Sequence, residues 1–302
     1  MIWRIARGRT LPIGPRTLIM GVLNVTPDSF SDGAQFFSVD AALEHARQMI
    51  AEGADIIDIG GESTRPGAAI ISAEEEMQRV IPVIEALVKE FSVPSPVSNT
   101  ASISVPISID TTKSEVAREA LSAGAAIVND ISALRFDFHI ADEVAKAGAG
   151  LVLMHSRGTP ATMQRLPPAA NIMSEVTQSL RRSIAMAERR GVARESIVID
   201  PGIGFGKTFD QNLELIAKLD ELIKAFPDFP LMIGTSRKAF LGHLLRDATG
   251  TPAPVEARLH GTLASITAAI LRGAHIIRVH DVKPAVEAVK VADAIRLALA
   301  QA

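Results

Sequence analysis

The stretch DPGIGFGKT at residues 200–208 combines glycines with a lysine and a threonine, the composition of a nucleotide-phosphate loop. Such a loop has the spacing G-x-x-x-x-G-K-[ST], because the backbone N–H groups between its glycines wrap around a phosphate. Here only three residues separate Gly202 from Gly206, and Pro201, which has no N–H to donate, stands where the first glycine belongs. The stretch therefore does not predict an ATPase or GTPase, and its ligand depends on the elements around it.

Polar and charged residues follow the short apolar runs of the sequence. They are Asn24, Thr64, Arg65, Asp110, Asn129, Asp130, His155, Asp200, Ser236, Lys238, Arg278 and His280. A single polar residue in such a place is more often a cap or a turn former than a catalyst. Many such residues together are stronger evidence for a site, because the burial of unpaired charges is too unfavourable to be explained by packing alone. Asp110, Asp200 and Lys238 are therefore predicted to share one polar pocket.

The elements that must position these residues are eight apolar runs, each followed by a turn and then by a helical pattern. The runs lie at 17–24, 55–60, 106–110, 126–130, 151–155, 196–200, 230–234 and 275–280. Continuous apolar runs are typical of parallel strands buried on both faces. Eight strands alternating with helices predict an α/β fold of the (β/α)₈ TIM barrel type. An open doubly wound sheet is the rival, but it usually has fewer strands and a G-x-G-x-x-G turn after the first.

The whole chain, residues 1–302, is predicted to form a single domain. Residues 1–16 precede the first strand and are expected to form a short cap or hairpin at the bottom of the barrel. The Ser- and Pro-rich segment 93–105 connects a helix to a strand, away from the catalytic end, and is expected to be a tolerated loop. The active site of such a barrel lies at the opposite end, where the strands finish.

The composition argues against several classes of function. The 31 basic and 34 acidic residues give a net charge of −3, which disfavours a nucleic-acid groove. The chain has no cysteine, and its seven histidines lack a zinc-binding spacing such as H-E-x-x-H. The uncharged segment 92–109 contains several prolines, so no membrane helix is expected. These features predict a cytoplasmic, soluble protein.

Five blocks of the sequence resemble the signature motifs of dihydropteroate synthases. They are GVLNVTPDSFSDG (21–33), GGESTRPGA (60–68), DPGIGFGKT (200–208), GTSRK (234–238) and IIRVHDV (276–282), in the order of that family. The resemblance implies a transferase of folate biosynthesis. Such an enzyme joins 6-hydroxymethyl-7,8-dihydropterin diphosphate to p-aminobenzoate and gives 7,8-dihydropteroate and diphosphate.

The resemblance also implies which residues hold the pterin. They are Asp110, Asn129, Met154, Asp200, Phe205, Gly234 and Lys238. The carboxylate of Asp200 can accept two parallel donors, which suits the 2-amino group and ring N–H of a pterin. Met154 and Phe205 would cover the ring faces, and Lys238 would donate to the ring carbonyl and N5. The glycines of 200–208 would let the backbone pass close to the flat ring.

The implied sites for the other groups share residues. Diphosphate is expected at Asn24, Thr64, Arg65, Arg278 and His280, and p-aminobenzoate at Arg65, Pro66, Ser236 and Lys238. Asn24 is the expected protein ligand of Mg²⁺, because magnesium takes hard oxygen ligands and keeps several waters. The implied catalytic groups are Lys238, Asp110, Asp200, Arg278 and His280. They would act by positioning and electrostatics, beneath the loops 26–37 and 63–70.

Two alternatives stay open at this stage. A pterin-dependent methyltransferase would use the same barrel, but such proteins lack the S-R-K block at 236–238. A non-catalytic pterin-binding relative would usually lose the mobile-loop residues, whereas Asn24, Arg65 and Lys238 are all present. The resemblance further implies a homodimer, and it leaves Lys207 as a solvent-facing residue at the start of a helix.

Overall fold

The computed structural model describes residues 1–25, 39–63, 70–91 and 105–301. Within these ranges a β-hairpin is followed by eight parallel strands that alternate with helices. The hairpin strands are β1 (Ile2–Arg4) and β2 (Thr10–Pro12). The parallel strands are β3 (Leu18–Asn24), β4 (Ile56–Gly60), β5 (Ile107–Asp110), β6 (Ile127–Asp130), β7 (Gly150–Met154), β8 (Ile197–Asp200), β9 (Met232–Ile233) and β10 (Ile276–Val279).

The parallel strands form one sheet in the order β8-β7-β6-β5-β4-β3-β10-β9. A parallel bridge links Ile199 to Leu231, and the N–H of Ile199 donates to the carbonyl of Pro230 at 3.0 Å. These contacts join the two edge strands, so the sheet closes on itself. The predicted (β/α)₈ barrel is confirmed, and every predicted apolar run overlaps its strand.

The helices surround the barrel and present apolar stripes to it. They are α1 (Val39–Glu52), α2 (Ala73–Phe91), α3 (Ser114–Ala123), α4 (Ile140–Ala147), α5 (Ile172–Arg189), α6 (Phe209–Ala217), α7 (Leu219–Ala225), α8 (Ala239–Leu244), α9 (Leu259–Leu271) and α10 (Val282–Gln301). On α5, Val176, Leu180 and Ile184 recur at a spacing of four residues and are all buried. This spacing places the three side chains on one face of the helix, toward the barrel.

The N-terminal hairpin closes the end of the barrel where the strands begin. Trp3 is fully buried, and its Nε1 donates to the carbonyl of Ser196 at 2.9 Å. The N–H of Ala6 donates to the carbonyl of Ala126 at 3.1 Å. A Cβ on Gly150, at the start of β7, would lie 3.0 Å from Nε1 of Trp3. The expected hairpin at the barrel bottom is therefore confirmed.

Three segments discussed above lie wholly or largely outside the described residues, namely 26–37, 63–70 and 93–105. The expectations for those loops stay predictions. Among the helices of the described chain, none has the length and apolar character needed to cross a membrane.

Candidate active site

Arg278, on β10, connects two carboxylates at the mouth of the barrel. Its Nε donates to Oδ2 of Asp58 on β4 at 2.6 Å, and its Nη2 donates to Oδ2 of Asp110 on β5 at 2.7 Å. Burial lowers the pKa of Arg278, but Asp58, Asp110 and Asp200 outweigh this effect and raise the pKa overall. The guanidinium is therefore a fixed positive charge held by three strands of the sheet.

Asp58 belongs to this group of polar side chains, although the sequence patterns did not single it out. It is fully buried, and the Oδ2 atom that binds Arg278 also accepts a 2.9 Å hydrogen bond from Nδ2 of Asn129 on β6. Oδ1 of Asp58 and Oδ1 of Asn129 have no hydrogen-bond partner among the described residues. A carboxylate inside the apolar run 55–60 was the available signal, because packing alone disfavours a buried charge.

Asn24 and Asp110 border the same small space above Gly60. A Cβ on Gly60 would lie 3.9 Å from Oδ1 of Asn24 and 3.9 Å from Oδ2 of Asp110. Burial raises the pKa of Asp110 to about 7, with Arg278 opposing the shift and Asp58 adding to it. An amide oxygen and a titratable carboxylate therefore lie side by side at the ends of β3 and β5.

Lys238 lies within electrostatic range of both Asp110 and Asp200. Burial lowers the pKa of Lys238 to about 8, helped by Arg278 and opposed by the two carboxylates. Its Nζ lies 4.0 Å from the centroid of the Phe205 ring, the geometry of a cation–π contact. The structure thus brings Asp110 and Asp200 close to Lys238, the third residue of the predicted pocket.

Asp200 ends β8 and is buried. Its Oδ1 accepts a 2.6 Å hydrogen bond from the N–H of Gly202. Burial raises the pKa of Asp200 to about 6, while the Gly202 N–H, Lys238 and Lys207 act in the opposite direction. At neutral pH Asp200 is therefore ionised, because the nearby cations offset the unfavourable burial of its charge.

The glycines of the loop after β8 are explained by the protein's own backbone. Gly202 and Gly206 have φ values of 69° and 71°, in the left-handed region. A Cβ on Gly202 would overlap the carbonyl oxygen of His155, and one on Gly206 would lie 2.6 Å from the carbonyl oxygen of Arg157. The resemblance implied that these glycines let a flat ligand approach, but contact with the segment after β7 already requires them.

The expectation that Lys207 faces solvent is wrong. The residue is only 8% exposed, and its Nζ donates to the carbonyl oxygens of Gly202 at 2.7 Å, His155 at 3.2 Å and Phe205 at 3.2 Å. A helix does begin beside it, because Thr208 caps α6 through a capping box. The loop turns these carbonyl groups inward, where they need a buried donor.

Met154 and Phe205 belong to a small apolar cluster that is separate from the main core. Its members are Ile131, Met154, Met163 and Phe205, each less than a tenth exposed. The resemblance implied Met154 and Phe205, but no sequence pattern indicated the other two, which follow β6 and β7. A thioether and an aromatic ring in one wall suit the face of a flat heterocycle.

Ser236 and His280 form a polar pair. Oγ of Ser236 accepts a 3.2 Å hydrogen bond from the backbone N–H of His280 and lies 3.0 Å from its Nδ1. Burial lowers the pKa of His280 to about 3, and Arg278, Arg237 and Lys238 add to the effect. The ring is therefore neutral at neutral pH. Either atom of the Oγ–Nδ1 pair can be the donor, and when the hydroxyl donates, Nε2 carries the ring proton.

The remaining predicted residues have different outcomes. Thr64, Arg65 and Pro66 lie outside the described residues. Gly234 borders Arg278, since a Cβ on it would lie 3.7 Å from the arginine Cβ.

Across the described ranges, no group of three or more His, Cys, Asp and Glu residues is arranged to hold a metal ion.

Comparison with known proteins gives consistent matches. The sequence profile described as pterin binding enzyme matches residues 20–280. The chain is 47% identical to the dihydropteroate synthase of Synechocystis over 282 residues, which cover 93% of this chain and 91% of the relative. Its structure is similar to Yersinia pestis dihydropteroate synthase with a sulfonamide drug complex, with a TM-score of 0.86, 41% identity and coverage of 99% and 100%. It is also similar to the Xanthomonas albilineans enzyme in complex with 7,8-dihydropteroate, with a TM-score of 0.81, 39% identity and coverage of 97% and 98%.

Proposed function

Since the chain belongs to the dihydropteroate synthase family and is a transferase of folate biosynthesis, we propose that its active site is the polar cup at the carboxyl ends of the strands. The polar cup consists of Asp58, Asp110, Asn129, Asp200, Lys238 and Arg278. The enzyme condenses 6-hydroxymethyl-7,8-dihydropterin diphosphate with p-aminobenzoate to give 7,8-dihydropteroate and diphosphate. The observation that carries the site assignment is that Arg278 on β10 hydrogen-bonds Asp58 on β4 and Asp110 on β5, while Asn129 on β6 hydrogen-bonds the same Asp58.

The pterin is proposed to lie with its donor edge against acceptors of the cup. Asp200 offers a carboxylate, and Asn129 offers an Oδ1 atom that has no partner among the described residues. A buried acceptor left unsatisfied costs roughly 1–3 kcal/mol, so a ligand N–H that reaches it binds favourably. Lys238 donates to the ring carbonyl and N5, while Met154 and Phe205 cover the faces.

Arg278 and His280 are proposed to hold the diphosphate. Arg278 supplies a permanent positive charge, and neutral His280 supplies an Nε2–H donor when the Ser236 hydroxyl donates to Nδ1. As the bond between the pterin methylene carbon and the diphosphate oxygen breaks, negative charge grows on the leaving group and fixed donors stabilise it. The electron-rich pterin carries the positive charge on its methylene group. The nitrogen of p-aminobenzoate then bonds to that carbon and releases a proton to solvent.

Mg²⁺ is proposed to accompany the diphosphate. Oδ1 of Asn24 is a hard oxygen beside Oδ2 of Asp110, in the space that Gly60 leaves open, so the residues fit such an ion. Asp110 is already bound to Arg278, and Asn24 is therefore the protein ligand that we assign. When bound, the ion would neutralise charge on the leaving diphosphate.

The p-aminobenzoate site is proposed to include Ser236 and Lys238, which follow β9. Arg65 and Pro66, outside the described residues, complete the assignment. The pairing of Ser236 with His280 links this site to the diphosphate site. The alternative of a pterin-dependent methyltransferase loses support, because the similar proteins are synthases at 47% and 41% identity.

A homodimer is proposed through the last helix. Val291, Ile295, Leu297 and Leu299 of α10 are between 44% and 65% exposed. Large apolar side chains grouped on one surface helix are typical of a protein interface. Light scattering should give a mass of two chains, and a mass of one chain at micromolar concentration would refute the dimer.

The proposed function is tested by release of diphosphate from the two substrates with Mg²⁺. Asp200→Asn keeps the shape of the side chain and removes its charge, so kcat/KM should fall by about 10²-fold. Asp228→Asn is the matched control, because the Asp228 side chain is 64% exposed and should be dispensable. Full activity of Asp200→Asn would refute the site assignment, whereas no turnover by the unaltered chain would refute the function.

A further inference from the structure

We infer that Lys207 is a positioning residue for the pterin. Its ammonium group ties the loop 201–206 to the end of β7 and thereby holds Asp200 and Phe205 where the ring binds. This inference rests on the proposed function, and it extends that function to a residue that does not itself contact substrate. It also gives a role to the lysine that makes the loop look like a phosphate site.

The hydrogen bonds of Lys207 join two separate elements. Gly202 and Phe205 belong to the loop after β8, whereas His155 follows β7. All three carbonyl oxygens lie between 2.7 and 3.2 Å from the Nζ atom. One buried ammonium group therefore cross-links the loop internally and to its neighbour, using each of its three donors once.

Other contacts dock the same two segments together. The N–H of His155 donates to the carbonyl of Asp200 at 2.9 Å. Nη1 of Arg157 donates to the carbonyl of Gly206 at 3.0 Å, and its Nε donates to Glu175 at 2.8 Å. Gly202 and Gly206 leave no room for a Cβ on this side. Lys207 thus lies inside a tightly packed junction rather than at a hinge.

The residues that Lys207 holds are the ones assigned to the pterin. Gly202, one of its acceptors, also donates its N–H to the Asp200 carboxylate at 2.6 Å. Phe205, another acceptor, has its ring under Nζ of Lys238 at 4.0 Å. A change in the Lys207 contacts therefore affects Asp200, at the edge of the pterin ring, through Gly202. It affects Phe205, at the face of the pterin ring, directly.

The charge of Lys207 supports the same role. Asp200 lies within its electrostatic range, so the ammonium group helps to keep that carboxylate ionised. Burial lowers the pKa of Lys207 to about 7, with Lys238 and Arg157 adding to the shift and Asp200 and Glu175 opposing it. The three carbonyl acceptors around Nζ favour the protonated form, which alone has three N–H donors. A role as a phosphate ligand does not fit, because three carbonyl oxygens surround the ammonium group and would repel an anion.

Lys207→Met tests the inference, because methionine has a similar length and cannot donate or carry charge. The KM for the pterin diphosphate should rise at least tenfold, and the KM for p-aminobenzoate should stay within twofold. Lys207→Arg retains the charge and should recover part of the pterin affinity. Lys218→Met is the matched control, since Lys218 is 47% exposed on the same side of α6 as its partner Glu214 and should behave as the unaltered chain.

Asn212→Ala provides a second test that leaves the charge unchanged. Oδ1 of Asn212 accepts the N–H of Gly204 at 2.6 Å, so this side chain ties the same loop to α6. Binding of 6-hydroxymethylpterin, measured by calorimetry on folded protein, should weaken at least threefold. Equal changes in both KM values for Lys207→Met, or normal pterin binding by Asn212→Ala if Lys207→Met does not fold, would overturn the inference. A loss of pterin binding in Asp200→Asn with none in either loop variant would leave the proposed function intact and reject only this step.

Discussion

Two sets of buried polar residues, one at each end of the barrel, differ in how completely they are hydrogen-bonded. At the bottom, Nε1 of Trp3 donates to a backbone carbonyl, and Asp293 accepts 2.8 Å hydrogen bonds from both the N–H and the hydroxyl of Thr17. At the top, Asp58 and Asn129 are just as buried, yet each keeps an acceptor without a partner among the described residues. Polar groups that pair with each other stabilise the fold, whereas those left unpaired are available to a ligand.

The charges show the same contrast. The top of the barrel contains carboxylates whose pKa is raised by burial, namely Asp110 to about 7 and Asp200 to about 6. Such groups destabilise the folded chain when they ionise, and they are tolerated because a substrate uses them. The bottom and the helical layer must therefore supply the stability that the top lacks. Substitutions at the two ends should separate stability from activity.

The largest expected effect is loss of stability from Trp3→Ala at the bottom. This change removes a fully buried indole and leaves the carbonyl of Ser196 without its donor. The free energy of unfolding should fall by roughly 3–5 kcal/mol, measured by urea denaturation. Both KM values should be unchanged in the protein that remains folded. A large change in either KM would show that the two ends are not separate.

A smaller effect, on activity, is expected from Lys238→Met at the top. The value of kcat/KM should fall about 10²-fold, because the cation beside Asp110 and Asp200 is lost. The free energy of unfolding should fall by less than for Trp3→Ala, because burial already disfavours the charge of Lys238 and Asp110 keeps Arg278 as its partner. Lys224→Met, with a side chain 75% exposed, serves as the control. Strong destabilisation by Lys238→Met would weaken the contrast between the ends.

The pH dependence of stability provides the third test. The pKa of Asp200 is raised by burial to about 6 in the folded chain, so its favourable contribution is present at low pH and is lost as pH rises through 6. Asp200→Asn cannot ionise. Relative to the unaltered chain, it should gain about 1–3 kcal/mol in unfolding free energy between pH 4 and pH 7.5. A difference in unfolding free energy between the two proteins that is independent of pH would mean that burial does not raise the pKa of Asp200.

The smallest effect is expected from Arg16→Ala at the rim of the bottom. Arg16 pairs with Asp55, but its side chain is 58% exposed to solvent. Exposed ion pairs contribute about 0–1 kcal/mol. Thermal unfolding and turnover should both stay close to those of the unaltered chain. A marked loss of stability would place part of the bottom's stability in its surface charges.

Much of the fold and part of the site could be predicted from the sequence. Buried parallel strands require continuous apolar runs, so eight runs indicated eight strands. Asp110, Asp200 and Lys238 could be placed together because the carboxyl ends of barrel strands converge. Asp58 could not be placed, because it lies inside a run, where the pattern indicates only burial. Its partner Arg278 lies 220 positions away in the chain.

Lys207 shows a second kind of feature that could not be predicted from the sequence. Its neighbours predicted a glycine-rich loop that leads into a helix, and that local description is correct. Whether the loop folds outward or back on to β7 depends on contacts with His155, more than 50 positions earlier. Local composition does not contain that information, so the expected solvent exposure was wrong.

By itself, the sequence determined which segments are strands and helices, because the periodicity of apolar residues encodes burial. It also determined which residues lie at the mouth of the barrel, because those residues directly follow the apolar runs. Only the tertiary structure decided which of those residues are paired and which keep an unpaired atom. Pairing depends on distances of 2.6 to 3.2 Å between groups on different strands, and those distances exist only once the sheet has closed.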